Sequence, residues 1–133
     1  FGAVVAALPG FLVISEALKA IPNPLLNEAI TVTALAGITG SASGGLSIAL
    51  AAMADQFMAA AQAANIPVEV LHRVAAMASG GMDTLPHNGA VITVLAVTGL
   101  THRQSYKDIF AITLIKTTAV FVVIGLYYAT GWV

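Results

Sequence analysis

A polar loop lies between two apolar segments in the middle of this chain. Residues 79–89 read SGGMDTLPHNG, with VLHRVAAMA before them and AVITVLAVTGL after them. Each apolar segment has about a dozen residues, whereas a helix needs about 20 to cross a bilayer. Neither segment spans alone. Joined through the loop, they predict one transmembrane helix over residues 67–101 that is broken at residues 79–88.

Composition supports a membrane environment for this break. Hydrophobic residues make up 59% of the 133 positions and charged residues only 8%, whereas about 25% is typical of globular proteins. So few charges cannot cover the surface of a soluble domain. The alternative is a buried core module of a soluble complex. We predict an all-α polytopic membrane protein, in which irregular backbone at membrane depth must be buried in protein or line a water-filled cavity.

Two further segments have the length and character of transmembrane helices. Residues 1–20 predict the first, and residues 104–131 predict a C-terminal one. From Tyr106 to Tyr127 the second covers about 31 Å, which matches the hydrocarbon thickness of a bilayer. Tyr106 lies near one end and Tyr127, Tyr128 and Trp132 near the other, as in the interfacial belts of membrane proteins.

Residues 24–64 predict a re-entrant helical hairpin with its tip, TGSASGG, at residues 39–45. The first arm has about 15 residues and reaches only about 22 Å, too short to cross comfortably. The tip carries glycine and serine but no charge, which is unlike a water-exposed loop. Two ordinary short spans are the alternative interpretation.

The hairpin tip and the broken helix follow one another, each interrupted near mid-membrane. Paired interruptions of this kind are the best sequence indication of the binding site of a secondary transporter. The chain begins at Phe1, and its first apolar run has no basic residues before it. We therefore expect no signal peptide and interpret the chain as a piece of a longer protein.

Two segments resemble a known family. GITGSASGGLSIAL at residues 37–50 and GGMDTLPHNGAVITVLAVTGLTHRQSYKDI at residues 80–109 are similar to the C-terminal part of the gluconate permease family of proton symporters, within the wider ion-transporter superfamily. The resemblance runs from about residue 20 to 131. It implies inverted repeats, each with a re-entrant hairpin and a broken helix, and a multi-pass location in the bacterial inner membrane. This chain then resembles the C-terminal third of such a protein.

One departure bears on the substrate. Members that carry sugar acids have an Asn-Asp pair and an aromatic residue after the loop histidine, whereas here His87 is followed by Asn88, Gly89 and Ala90. The chain looks more like members that carry short hydroxy-acids such as 3-hydroxybutyrate. The resemblance implies proton-coupled symport of a small hydroxylated organic-acid anion, either 3-hydroxybutyrate-like or gluconate-like.

Helix N-termini can bind an anion where cations are scarce, because they present unpaired N–H groups and a partial positive charge. Such ends are predicted at the hairpin tip and after the loop. The predicted substrate-binding residues are Ser41, Ser43, Gly44, Gly45, Thr84, His87, Asn88 and Gly89. The alternative is that these small residues only let helices pack closely.

Two titratable residues in the loop are candidates for proton coupling. The reference pKa of histidine, about 6.5, would let His87 exchange a proton, and Asp83 lies four residues earlier. His87 could instead bond the broken backbone as a neutral imidazole, and Asp83 could cap a helix or pair with a cation. Lys116, deep in the last helix, is expected to pair with an acid such as Asp55.

Other function classes fit less well. In GSASG at residues 40–44, Ala42 occupies the position where a nucleophile elbow requires serine. We therefore expect no enzyme, and no cofactor or metal site. A channel or uniporter of the same architecture is the alternative interpretation.

The expected partners are an organic-acid anion, a proton and the lipid bilayer. A homodimer is an open option, and no nucleic acid is expected. Arg103 and Lys107 indicate a cytoplasmic position for their loop.

Overall fold

The computed structural model describes residues 9–132, which form six helices and no strands. The helices are α1 Pro9–Lys19, α2 Pro24–Thr39, α3 Ala42–Ala63, α4 Val68–Ser79, α5 Gly89–Thr98 and α6 His102–Thr130. The all-α prediction is confirmed for this part of the chain. Residues 1–8 of the helix predicted at 1–20 lie outside the described residues.

Two helices among the described residues, α3 and α6, are long and apolar enough to cross a membrane. They contain 22 and 29 residues, respectively. Helix α5 is apolar but has only 10 residues, and the 16 residues of α2 reach about 24 Å. The two long helices are therefore separated by the short helices α4 and α5.

The boundaries of α2 follow from its end residues. The Asn23 side chain accepts a hydrogen bond from the Leu26 N–H at 3.0 Å, and Pro24 occupies the first turn. Both residue types favour a helix start. Gly40 ends the helix in the left-handed conformation, with φ of 60°, which glycine adopts without steric cost. The turn to α3 therefore needs only Gly40 and Ser41.

Helix α2 is the centre of the bundle. Helices α3, α4 and α6 pack against it, so its buried residues are distributed all round the helix rather than along one stripe. Its fully buried apolar residues are Leu25, Ala29, Val32, Leu35 and Ala36. Polar residues that no surface helix would bury, including Glu28 and Thr31, are also enclosed.

A close backbone contact joins α2 to α3. A Cβ atom added to Gly45 would lie 2.3 Å from the Ala36 nitrogen and 2.4 Å from the Ala36 Cα atom. Only glycine allows this approach, as small residues commonly do between membrane helices. The two arms are therefore packed together immediately behind their connecting turn.

Buried polar side chains of α2 hold the ends of its neighbours. Asn27 Nδ2 donates to the carbonyl oxygens of Leu18 and Ile21, at 2.9 and 3.1 Å, just where α1 ends. Thr33 donates to the Ala78 carbonyl at 3.1 Å in the last turn of α4. These three carbonyls lie at or just beyond helix ends, where the regular helical hydrogen-bond pattern stops.

Helices α5 and α6 leave large apolar faces uncovered. Only Val91 and Leu95 of α5 are buried, and in α6 only Thr113, Val120 and Ile124. The exposed apolar side chains of α6 include Phe110, Ile112, Leu114, Ile115, Phe121, Val122 and Leu126. Apolar faces of this extent are typical of contact with lipid or further protein.

Candidate functional site

The turn between α2 and α3 meets the loop at residues 80–88. The Nε2 atom of His87 lies 2.9 Å from the Gly37 carbonyl oxygen. The Asn88 side chain donates to the Gly40 carbonyl oxygen at 2.6 Å. Two interruptions almost fifty residues apart in sequence are therefore in direct contact.

Gly40 is required at this contact for two reasons. Its φ of 60° disfavours any other residue, and an added Cβ would lie 3.0 Å from His87 Cδ2 and 3.3 Å from the Asn88 Cα atom. A larger residue would push the loop away from the turn.

The loop is also anchored to α6. Lys116 Nζ lies 2.7 Å from Asp83 Oδ1, and the hydroxyls of Thr84 and Thr113 are 2.7 Å apart. The prediction that Lys116 pairs with an acid is confirmed, but the acid is Asp83. Asp55, the example suggested by the sequence, is exposed on α3. Spacing along the chain could not identify Asp83, which lies 33 residues away.

Each helix that follows an interruption is capped by the side chain of the residue just before its first turn. Ser41 Oγ accepts from the Gly44 N–H at 3.1 Å at the start of α3. Asn88 Oδ1 accepts from the N–H groups of Ala90 and Val91, at 2.6 and 3.2 Å. These caps occupy N–H groups that a bound anion would otherwise use.

Asn88 has no hydrogen-bonding capacity left over. Its side chain is buried, its oxygen accepts the two bonds of the α5 cap, and its amide group donates to the carbonyls of Gly40 and Asp83. An amide side chain has two donors and one accepting oxygen with two lone pairs. Asn88 therefore positions the loop against the turn.

The other predicted binding residues fall into two groups. Gly45 is buried and its N–H donates to the Ser41 carbonyl at 2.9 Å, and the Thr84 hydroxyl is paired with Thr113. In contrast, Ser43 and Gly89 are exposed, and an added Cβ at Gly89 would meet nothing within 4 Å. Ser43 and Gly89 are therefore accessible to a ligand, whereas Gly45 and Thr84 support the structure.

A cleft of about 510 Å³ opens beside the loop. It is lined by Pro86, His87, His102, Arg103 and Tyr106, and His102 Nε2 lies 3.0 Å from the Pro86 carbonyl oxygen. Sequence reasoning missed His102, Arg103 and Tyr106 as site residues, because the start of α6 was interpreted only as a loop end. The adjacent residues His102 and Arg103 are the sequence feature that could have indicated this site.

The cleft is shallow and mostly apolar, but its lining includes groups that can bind an anion. A guanidinium group matches a carboxylate in a planar, two-bonded geometry. The Nε2 atoms of His87 and His102 already donate to backbone carbonyls, so each imidazole can offer an anion only its Nδ1, and only when protonated. Arg103 of α6 lines the cleft, while the Asp83 carboxylate is paired with Lys116.

Comparison with known proteins gives one relative. Over 134 aligned residues the chain is 69% identical to a protein of Bacillus subtilis (strain 168) named uncharacterized transporter YxjC. The match covers the whole chain, and the chain spans 28% of the length of that relative.

No protein-family model matches the chain, and no solved structure matches it. The name of the relative gives a transporter but neither a family nor a substrate. The resemblance to the gluconate permeases therefore stays a prediction.

Proposed function

We propose that this chain is part of a secondary active transporter that carries a small hydroxylated organic-acid anion, 3-hydroxybutyrate-like or gluconate-like, together with a proton. The contact of His87 and Asn88 with Gly37 and Gly40 carries the proposal. In secondary transporters, discontinuous helices meet at the substrate site. The name of the Bacillus subtilis relative agrees with transport.

In this proposal the protein is embedded in the cell membrane as a multi-pass protein. Helix α6 has sufficient length and apolar character to span the membrane. The turn at Gly40–Ser41 and the loop at residues 80–88 lie at membrane depth, with α2 and α3 as a re-entrant hairpin. Asn88 and Gly40 satisfy each other's polar groups there, as unwound backbone away from water requires.

The substrate carboxylate binds in the cleft beside the loop. Arg103 provides the full positive charge, and His87 and His102 can each donate from Nδ1 when the imidazole is protonated. The N-termini of α3 and α5 add their partial positive charges. Ser43, whose side chain is exposed, is available for a substrate hydroxyl, and the Gly89 N–H at the first position of α5 has no acceptor within its helix.

Coupling to protons involves Asp83 and His87. The Asp83–Lys116 ion pair links the loop to α6, so protonation of Asp83 weakens that link by removing one of the two charges. His87 lies both in the cleft and against Gly37. A change in its protonation state therefore acts on the substrate site and on the hairpin together.

The test uses the complete protein in liposomes. Labelled 3-hydroxybutyrate and gluconate are supplied with and without an inward proton gradient. Uphill accumulation that requires the gradient is expected for a symporter. Movement only down the substrate gradient would indicate a channel or uniporter, and chemical conversion of the substrate would indicate an enzyme.

A matched pair of variants tests the cleft. Arg103→Gln should raise the half-saturation concentration roughly tenfold or more, because a charged hydrogen bond is lost. Lys107→Gln, four residues further along α6 and outside the cleft lining, is the control and should leave it near the wild-type value. Equal effects of both variants would count against the cleft as the binding site.

A further inference from the structure

A second ionisable site lies away from the loop, in a cavity among α2, α3 and α4. Its volume is about 300 Å³, and its lining is almost entirely apolar, with Leu50 and Phe57 from α3 and Leu71 from α4. Two titratable side chains complete the lining, Glu28 of α2 and His72 of α4.

Glu28 is the unusual member of this lining. The residue is only 3% exposed, and its Oε2 atom is buried with no hydrogen-bond partner among residues 9–132. A buried, unpaired carboxylate is expensive, since it loses hydration without gaining a counter-charge. Such a residue is a candidate for function when it lies in a membrane-embedded bundle.

The surroundings of Glu28 restrict what it can bind. A metal cation would require several oxygen ligands, but the described lining offers only one carboxylate and one imidazole. An anion would be repelled by the carboxylate. A proton needs only the carboxyl group itself, and the neutral acid is the form that an apolar lining tolerates.

No other described charged side chain lines the cavity with Glu28. Glu69 and Arg73 lie on α4 beside His72 and line a more open, adjoining pocket that shares Val68 and His72 with the cavity. On α3, Asp55 is exposed and outside the cavity lining. On α6, Lys116 is paired with Asp83, and on α1 Glu16 is exposed and outside the lining. His72 is therefore the one titratable neighbour in the cavity, and it is itself exposed.

We infer that Glu28 is a proton-binding site of this protein, with His72 at the mouth of the cavity as the group through which protons enter and leave. The carboxylate takes up one proton to become the neutral acid and returns it to His72 or to water. Glu28 lies nine residues before Gly37, about 13 Å along the α2 axis. This proton site is thus on the same helix as the hairpin contact but remote from the loop.

The proton site at Glu28 does not depend on the proposed transport function. Only its effect on the substrate site rests on that function. Because the Gly37 and Gly40 carbonyls hold His87 and Asn88, a change of charge on α2 can act on the substrate site through one rigid helix. Proton binding at Glu28 would then favour one arrangement of the hairpin.

The test has one readout that is independent of transport. Infrared difference spectra between acidic and alkaline samples of the complete protein report the carboxyl groups that gain a proton. Glu28→Gln keeps the size of the side chain but cannot titrate. We expect a carboxylic-acid band in wild type and in the control Glu69→Gln that is absent in Glu28→Gln. Identical spectra for wild type and Glu28→Gln would overturn the inference.

A second variant covers the case in which Glu28→Gln does not fold. Glu28→Asp keeps the carboxyl group but shortens the side chain, so the band should shift rather than disappear. An unshifted band in Glu28→Asp would also overturn the inference.

The transport readout separates the two proposals. In liposomes, Glu28→Gln should reduce proton-driven accumulation roughly tenfold or more, with a smaller effect on substrate exchange, while Glu69→Gln should match wild type. Proton-driven uptake with no Glu28 band would overturn the proton site alone. A Glu28 band without any hydroxy-acid uptake would support the proton site and overturn the proposed function alone.

Discussion

The Nε2 atom of His87 lies 2.9 Å from the carbonyl oxygen of Gly37, fifty positions earlier in the chain. A carbonyl oxygen only accepts hydrogen bonds, so Nε2 donates and must carry a hydrogen. The same imidazole lines the cleft with Arg103. One side chain thus connects the hairpin to the candidate anion site.

The His87 bond predicts a difference between two substitutions. His87→Ala removes the donor and should lower the free energy of unfolding by about 1 kcal/mol. His87→Gln offers an N–H group at a similar reach and should recover most of that loss. Chemical unfolding of the complete protein in detergent measures both. Equal destabilisation by Ala and Gln would mean that the bond to Gly37 contributes little.

Gly45 predicts a strong steric effect. Gly45→Ala places a methyl group within 2.4 Å of Ala36 backbone atoms, so α2 and α3 must move apart, at a cost of about 1–3 kcal/mol or more. Thermal unfolding should show a clear loss of stability. Gly89→Ala is the matched control, because nothing lies within 4 Å of its added Cβ. A wild-type unfolding temperature for Gly45→Ala would contradict the close packing of the two arms.

The Asp83–Lys116 pair predicts energetic coupling. Asp83→Asn or Lys116→Met leaves one charge without its partner at a partly buried position, whereas the double variant removes both charges. A double-mutant cycle should give a coupling free energy of roughly 0.5–3 kcal/mol. The control cycle pairs Asp83→Asn with Lys107→Met and should be additive, since Lys107 lies elsewhere on the exposed surface of α6. Coupling of the same size in both cycles would rule out a specific bond.

Replacing Asn88 should reduce the local order at the start of α5. Asn88→Ala removes the α5 cap and the bonds to Gly40 and Asp83, and should cost about 1–3 kcal/mol. Hydrogen exchange should accelerate at the first amides of α5. Ser43→Ala removes an exposed hydroxyl that makes one long hydrogen bond, 3.5 Å to Ser41 Oγ, and should change stability by no more than about 0.5 kcal/mol. Unchanged exchange in Asn88→Ala would show that the loop is held by other contacts.

The helices and their ends could be predicted from local sequence. Gly40–Ser41 and the polar loop at residues 80–88 fall within the predicted interruptions at 39–45 and 79–88. Capping residues, glycine and proline act over a few neighbouring residues, so their effect can be recognised in a single sequence. The same holds for the apolar character of α6, which local composition determines.

The side-chain contacts between helices could not be predicted from the sequence. The pairing of Lys116 with Asp83 rather than Asp55, the presence of Arg103 beside His87, and the enclosure of Glu28 depend on which helix faces pack together. Glu28 in particular lies near the start of its helix, where a charged side chain is ordinarily solvated.

What the sequence determined by itself was the all-helical class, the apolar character and the positions of the breaks, because these arise from local backbone preferences and composition. Only the tertiary structure decided that His87 contacts Gly37 and that the Asn88 amide group donates to the Gly40 carbonyl of the turn. It also decided that Glu28 and His72 line the same cavity. Each of these contacts joins residues more than forty positions apart, and their approach is set by helix packing around α2, which no short stretch of sequence encodes.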